Sequence, residues 1–157
     1  MAPNPTDTVL ALREFPGAGD PAHLLPRRTR DNAPFFDALR EGRLALQACA
    51  SCERLRYPIA PVCPHCGGRE SRWRDLSGRG TVHSFVRYRR SYLAEFEPLM
   101  PYVVASVELD EGVRIFGRLA ESGDDAAIGM PVRAIVERWP GGECVHAFVA
   151  ATDGEAR

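Results

Sequence analysis

The chain has 157 residues, enough for one domain or two small ones. Hydrophobic residues make up 45% and charged residues 26%, as in an ordinary globular protein, which excludes a largely disordered or collagen-like chain. No run approaches the roughly 18 apolar residues of a membrane span, and the N-terminus lacks the basic start and apolar run of a signal peptide. We therefore expect a cytoplasmic protein.

The charge balance narrows the choice of partners. The 20 basic residues oppose 21 acidic ones, for a formal net charge of -1, and every basic residue is arginine. The absence of lysine excludes Schiff-base and lysine general-base chemistry within this chain. The absence of a basic excess disfavours non-specific binding to nucleic acid.

The first 30 residues are rich in Pro, Ala and Gly and lack clean periodicity, which predicts an extended N-terminal arm over residues 1–30. The arm contains two short apolar patches, which either bind a partner or make no contact as part of a loose tail: Val9-Leu10-Ala11-Leu12 and His23-Leu24-Leu25. The following segment, residues 31–74, is predicted to form a helix and a zinc ribbon.

The predicted helix begins near Pro34, where Asp31 or Asn32 can cap it, and Gly42 ends it. Its apolar side chains, Phe35, Phe36 and Leu39, would lie on one face. Such a face belongs to a core or to a partner contact.

Four of the five cysteines form two CxxC pairs, Cys49 with Cys52 and Cys63 with Cys66, separated by ten residues. Without a signal peptide, a metal site is favoured over disulfides. Two CxxC turns complete a sulfur tetrahedron that leaves no open position, so the site is predicted to hold structural Zn²⁺. Iron in the same sulfur cage is the main alternative, and four unrelated buried cysteines is another. His65 is predicted to be exposed rather than a ligand.

Beyond Leu76 the pattern is all-β, and residues 75–157 are predicted to form an OB-fold domain. Asp110-Glu111-Gly112 separates two alternating segments, a strong signal for a hairpin. The predicted fold is mostly β, with an N-terminal helical arm, a rubredoxin-like zinc ribbon and a C-terminal five-stranded OB-fold barrel. The predicted barrel strands are Thr81–Tyr88, Tyr102–Leu109, Val113–Leu119, Pro131–Glu137 and Glu143–Ala150.

Several motifs together resemble one family of small bacterial and archaeal proteins, over roughly residues 27–150. They are Phe35–Leu44, the two cysteine pairs, Arg56-Tyr57-Pro58, Ser77–Val82, Pro101–Val104, Glu108–Arg114 and Ile128–Val132. This family has a rubredoxin-like zinc ribbon and a C-terminal OB fold, and is associated with acyl-CoA metabolism.

The resemblance implies an accessory role. Members of the family accompany a thiolase-like enzyme or a MaoC-like hydratase, and the partner carries the catalytic residues. The small subunit completes the complex and helps to form the channel for the CoA or carrier pantetheine arm. The implied reactions are C–C bond cleavage, condensation and acyl transfer, with steroid, polyketide and aromatic acyl groups all open.

No catalytic residue is predicted in this chain. Cys144 and His146 share one face of a predicted strand and could pair as nucleophile and base, but a buried cysteine beside a strand histidine is favoured. No GxSxG, Walker or dinucleotide motif occurs.

Aromatic residues and arginines alternate between Phe85 and Tyr92. Arginines grip phosphates and aromatic rings stack on adenine, so this segment is a candidate site for CoA or its pantetheine arm. Single-stranded nucleic acid on the OB fold and a solvated strand face without a ligand are the alternatives. The candidate residues are Arg87, Tyr88, Arg89, Arg90 and Tyr92.

Overall fold

The computed structural model describes residues 9–152, which form a mostly β chain with few helices. The helical elements are the 3₁₀ helix Pro21–Leu24, helix α1 (Ala33–Arg40) and the 3₁₀ helix Ala94–Leu99. The strands are β1 (Leu12–Glu14), β2 (Leu44–Cys49), β3 (Leu55–Arg56), β4 (Ser71–Leu76), β5 (Arg79–Tyr88), β6 (Tyr102–Leu109), β7 (Arg114–Leu119), β8 (Pro131–Arg138) and β9 (Cys144–Ala150). None of the helices in this range is long and apolar enough to cross a membrane.

Helix α1 confirms the predicted helix, but its N-terminus differs from the prediction. Asn32 occupies the N-cap position without a side-chain cap, because its Oδ1 accepts from the backbone N–H of Thr29 at 2.7 Å. At the other end Gly42 has a left-handed φ of 76°, and the backbone N–H of Arg43 donates to the carbonyl of Ala38 at 2.8 Å. This Schellman-type ending favours glycine and turns the chain directly into β2.

The first sheet, formed by β2, β3 and β4, carries the first cysteine pair at one end. Strand β2 lies in the centre and is antiparallel to both neighbours. Its Leu44 and Leu46 join Leu39 of α1 in the main core. On the opposite face, Oε1 of Gln47 accepts the backbone N–H of Ala60 at 3.1 Å, and all six residues of β2 are buried.

The second sheet closes into the predicted five-stranded barrel. The strands are neighbours in the order β8, β5, β6, β7 and β9, and β9 pairs with β8 to complete the circle. Strands β7 and β9 are parallel, whereas the other barrel pairs are antiparallel. Alternate residues of β6, Val103, Ala105 and Val107, have no exposed surface, as expected of side chains that fill a small barrel.

Two local features shape the barrel. Strand β5 stays continuous, but its pairing with β6 shifts register between Val82 and Ser84, an irregularity that bends one strand around the barrel. The β6–β7 hairpin turns at Asp110-Glu111-Gly112, as predicted, with Gly112 at a left-handed φ of 79°.

A single core joins the ribbon, the helix and the barrel. Leu46 of the ribbon, Phe36 of the helix and Phe148 of the barrel belong to one cluster of buried side chains. At the joint, the backbone N–H of Ser77 donates to Oε1 of Glu111 at 2.6 Å. The predicted boundaries at residues 30 and 74 stay predictions, because side chains from all three segments share this core.

The N-terminal arm packs against the barrel. Strand β1 pairs in parallel with β8, Leu10 is only 6% exposed, and the ring of Phe15 lies 5.4 Å from that of Trp139. The patch around Leu10 therefore docks on its own chain, whereas the sequence suggested a partner or no contact. The first eight residues of the predicted arm, and residues 153–157 of the predicted OB segment, lie outside the described residues.

Candidate metal centre and ligand-binding segment

The first cysteine pair forms a tight turn at the end of β2. The backbone N–H of Glu53 donates to the carbonyl of Cys49 at 3.0 Å, and the N–H of Cys49 donates to the carbonyl of Arg54 at 3.0 Å. The turn requires a left-handed residue directly after Cys52, and Glu53 adopts it with a φ of 61°.

The second cysteine pair repeats this geometry. The backbone N–H of Gly67 donates to the carbonyl of Cys63 at 2.9 Å, and the N–H of Cys63 donates to the carbonyl of Gly68 at 2.8 Å. Gly67 follows Cys66 and has a left-handed φ of 74°, a conformation that glycine adopts without strain. The two CxxC segments are therefore matched knuckles.

The four cysteine sulfur atoms of the two knuckles lie within 4.8 Å of one another. Sγ of Cys49 is 3.6 Å from Sγ of Cys66, and Sγ of Cys52 is 3.7 Å from Sγ of Cys63. A tetrahedron with Zn–S bonds of about 2.3 Å has edges of about 3.8 Å, so the donor set fits Zn²⁺. Gly68 lies close against this cluster, since a Cβ there would be 3.3 Å from Sγ of Cys49 and of Cys66.

The protein environment favours the thiolate form of one ligand. The nearby Arg56 guanidinium, together with the backbone N–H groups of Cys52 and Ser51, lowers the pKa of Cys49 to about 5. Thiolates are the form that binds metal, so this environment prepares the site for a cation. Arg56 was not singled out as a site residue from the sequence. Two arginines, Arg54 and Arg56, lie between the knuckles, and the sequence carries no signal that distinguishes buried Arg56 from exposed Arg54.

Residues between and within the knuckles have other contacts. Tyr57 and Ile59, which lie between the knuckles, pack against the main core. The Tyr57 hydroxyl donates to the carbonyl of Phe116 at 3.5 Å and so links the ribbon to the barrel. His65 is exposed, and its Nδ1 lies 3.3 Å from a guanidinium nitrogen of Arg54.

Two arginines of the candidate CoA segment are engaged within the chain. Arg87 donates to the backbone carbonyls of Gly123 at 2.9 Å and Asp124 at 3.0 Å. Arg89 donates to the Asp124 carboxylate at 3.1 Å. These hydrogen bonds hold the loop between β7 and β8. They use guanidinium N–H groups of Arg87 and Arg89 that would otherwise be available to a phosphate.

The other three members of the candidate segment differ in their exposure. Tyr88 stacks on Tyr102, with ring centroids 4.7 Å apart. The guanidinium of Arg90 lies 5.8 Å from the ring centroid of Tyr92, whose side chain is 81% exposed. The structure thus splits the five residues, leaving Arg90 and Tyr92 as an exposed cation–aromatic pair.

A cavity of about 350 Å³ lies elsewhere on the barrel, beside strand β1. Its lining includes Arg13, Tyr102 and the buried ion pair between Arg118 and Glu137. None of the five candidate CoA residues lines it. Its charged groups are paired within the chain, as the Arg118 pair and the Arg13–Glu121 pair show.

Cys144 and His146 are both buried in the core. Cys144 is 5% exposed, and Nε2 of His146 donates to the carbonyl of Phe116 at 2.7 Å. The imidazole packs edge-on against Phe35 and Phe148, with ring centroids 5.7 and 6.0 Å away. Burial lowers the pKa of His146 and favours the neutral ring. These contacts agree with the favoured interpretation, a buried cysteine beside a strand histidine, rather than with a nucleophile and its base.

A Cys₄ zinc ribbon joined to a five-stranded OB barrel defines a class of small zinc-ribbon/OB-fold proteins. Residues 36–72 match the family model described as ChsH2, rubredoxin-like zinc ribbon domain, and residues 73–137 match ChsH2, C-terminal OB-fold domain. The chain belongs to the ChsH2 (DUF35) family, which confirms the resemblance predicted from its motifs.

Three similar proteins illustrate the family. The chain is 44% identical over 108 residues to a probable enoyl-CoA hydratase alpha subunit of Thermomonospora curvata, covering 68% of this chain and 33% of that protein. It is 39% identical over 121 residues to the 3-oxo-4,17-pregnadiene-20-carboxyl-CoA hydratase alpha subunit of Mycobacterium tuberculosis, covering 76% and 38%. The chain thus spans well under half the length of both relatives.

The third is a chain of a solved structure described as Ltp2-ChsH2(DUF35) aldolase. It is 38% identical, with a TM-score of 0.73, and the match covers 82% of this chain and 100% of that one.

Proposed function

We propose that this protein is a non-catalytic accessory subunit that binds a thiolase-like enzyme. It would support cleavage, condensation or transfer of acyl groups carried on CoA or on a carrier protein. The observation that carries the proposal is the match over the whole length of a chain from the Ltp2-ChsH2(DUF35) aldolase. The name of that structure joins a ChsH2 (DUF35) component to a second component, and the same arrangement is proposed here.

The chemistry of the described residues supports this role. A Cys₄ site has no open coordination position for a water or substrate, so we assign its zinc a structural function, with Cys49, Cys52, Cys63 and Cys66 as ligands. Cys144 and His146 lie in the core, where substrate has no access. The nucleophile and base would therefore come from the partner.

The proposed contact with the CoA arm falls on Arg90 and Tyr92. Their side chains form an exposed cation–aromatic pair, whereas Arg87 and Arg89 are bound to the loop around Asp124. A guanidinium and an aromatic ring suit a nucleotide phosphate and its base. Arg87, Arg89 and Tyr88 would then support this pair rather than contact the ligand.

A MaoC-like hydratase is the second candidate partner. Both curated relatives described above are named as hydratase alpha subunits. Because the match covers a minor part of each relative, the hydratase activity of those proteins can reside outside the matched part. The two candidates share the accessory role and differ only in the enzyme bound.

The test is affinity purification of the tagged full chain from its native host, with bound proteins identified and quantified by mass spectrometry. We expect a thiolase-like protein in near-equal amount that survives washing at high salt, which removes charge-driven contaminants. An unrelated protein with the same tag serves as the control. A hydratase in its place would support the second candidate. Nucleic acid, or no stoichiometric partner, would overturn the accessory role.

A further inference from the structure

Arg56 is a buried cation with no carboxylate partner. It lies in β3, between the two knuckles, and its side chain has no exposed surface. Within residues 9–152 no Asp or Glu lies within ion-pair distance of Arg56. In the same ribbon, by contrast, the exposed Arg72 pairs with Glu53. A buried charge without a counterion is strongly unfavourable, so an anion is expected beside it.

The hydrogen bonds of Arg56 run to the exit of the second knuckle. Its Nη2 donates to the backbone carbonyls of Gly68 at 3.0 Å and Glu70 at 2.7 Å. Its Nη1 lies 3.4 Å from the carbonyls of Ala60 and Arg69. These acceptors are neutral, and Nε has no hydrogen-bond partner in the described chain. The carbonyls orient the guanidinium without balancing its charge.

The groups that can supply the negative charge are the cysteine thiolates. The carbonyl of Gly68, which accepts from Nη2 of Arg56, also accepts the backbone N–H of Cys63 at 2.8 Å, and a Cβ at Gly68 would lie 3.3 Å from Sγ of Cys49, so the guanidinium lies beside the sulfur cluster. Four thiolates around one Zn²⁺ carry a net charge of about -2, which one guanidinium reduces by half. Arg56 thus follows the first knuckle in the chain, lies beside the sulfur cluster and holds the backbone that follows the second knuckle.

We propose that Arg56 is a positioning residue for the metal centre, which neutralises part of the charge of the zinc–Cys₄ group and ties the two knuckles together. The inference rests on zinc at this site and is independent of the partner enzyme. Its consequence is kinetic. With the guanidinium present, zinc leaves slowly and the thiolates react slowly with electrophiles; without it, both processes are faster.

The test compares Arg56→Gln, which removes the charge, with Arg56→Lys, which keeps it, and with Arg54→Gln, an exposed arginine two positions away. Zinc content of the full-length proteins is measured first by elemental mass spectrometry. Zinc release to a chromophoric chelator, and alkylation by N-ethylmaleimide, are then followed as rates. We expect one zinc per wild-type chain.

We expect Arg56→Gln to release zinc about tenfold faster or more, the range found for residues that support metal ligands. Arg56→Lys should stay within about threefold of the wild type, because an ammonium keeps the charge but loses the forked geometry. Arg54→Gln should match the wild type. Equal losses in the Gln and Lys variants would overturn the charge argument, as would an unchanged Gln variant or a wild-type chain without zinc.

A second background guards against a simple folding defect. Cys66 is the exposed ligand, and Cys66→His lowers the negative charge of the site by one. In that background Arg56→Gln should change the release rate by no more than about threefold, because less charge needs compensation. The same factor in both backgrounds, or a double variant that binds no zinc, would overturn the proposal.

Discussion

At the scale of single residues, His146 shows how a polar side chain is accommodated in this core. It is 8% exposed, and its Nε2–H donates to the carbonyl of Phe116. Within the described chain its Nδ1 has no hydrogen-bond partner. The rings of Phe35 and Phe148 surround it. Only the neutral imidazole suits this environment, since a second proton would place an uncompensated charge among aromatic rings.

The buried position of His146 predicts a loss of stability in acid. Burial lowers its pKa in the folded state below that of the unfolded chain, so the unfolded state binds more protons as pH falls below about 6.5. The stability is therefore present above that pH and lost below it. We expect His146→Gln to weaken this dependence between pH 7.5 and 5.5, measured by urea unfolding with zinc in excess.

The exposed His83 provides the matched control for this measurement. His83→Gln should keep the pH dependence of the wild type, and protonation of the zinc ligands affects all three proteins alike. Parallel curves for the wild type and His146→Gln would contradict the prediction.

At the scale of elements, the N-terminal arm behaves as part of the barrel. Strand β1 extends the sheet at β8, and the backbone N–H of Leu10 donates to the carbonyl of Gly42 at 2.7 Å, at the end of helix α1. The Leu10 side chain covers Gly78, where a Cβ would come within 3.1 Å of it. The arm thus contacts the turn between β4 and β5 and the end of the helix at once.

Removing the Leu10 side chain should destabilise the whole chain. Leu10→Ala is expected to lower the free energy of unfolding by about 2 to 3 kcal/mol, the lower part of the range for buried leucines. Val9→Ala is the matched control, because Val9 is 79% exposed and should change stability by less than about 0.5 kcal/mol. Urea unfolding measures both, and equal effects would show that the arm is not part of the cooperative core.

At the scale of the whole molecule, the zinc ribbon and the barrel share one core. Leu44 and Leu46 from the ribbon lie in the same cluster as Val107 and Ile115 from the barrel. The link through Glu111 at the joint reinforces this continuity. Loss of the ribbon would expose the apolar surface of the barrel beneath it.

Removing zinc should therefore destabilise the barrel as well as the ribbon. We expect a strong chelator to lower the melting temperature by roughly 10 °C or more, since structural zinc contributes much of the folding energy of small metal sites. Trp73 lies in the ribbon and Trp139 at the end of β8, so Trp73→Phe and Trp139→Phe each leave one reporter. Coincident transitions are expected. A barrel transition that chelation leaves unchanged would contradict shared cooperativity.

The elements predicted from sequence are those with local signals. The CxxC spacing, the alternation of β6 and β7 and the turn at Asp110-Glu111-Gly112 each depend on residues a few positions apart. These signals located the knuckles, the barrel strands and helix α1. Asn32, one of the two predicted capping residues, occupies the N-cap position, but its side chain does not cap the helix because its Oδ1 accepts the backbone N–H of Thr29.

The sequence by itself determined the zinc ribbon, the order of the barrel strands along the chain and the family, because backbone turns and periodicity are local properties. Only the tertiary structure decided that the arm packs on β8, that Asp124 engages Arg87 and Arg89, and that Arg56 lies beside the cysteines. Each of these contacts joins residues that are distant in sequence or lie in different turns. These contacts form only when the sheets pack together and exclude water, and local sequence patterns carry no information about that packing.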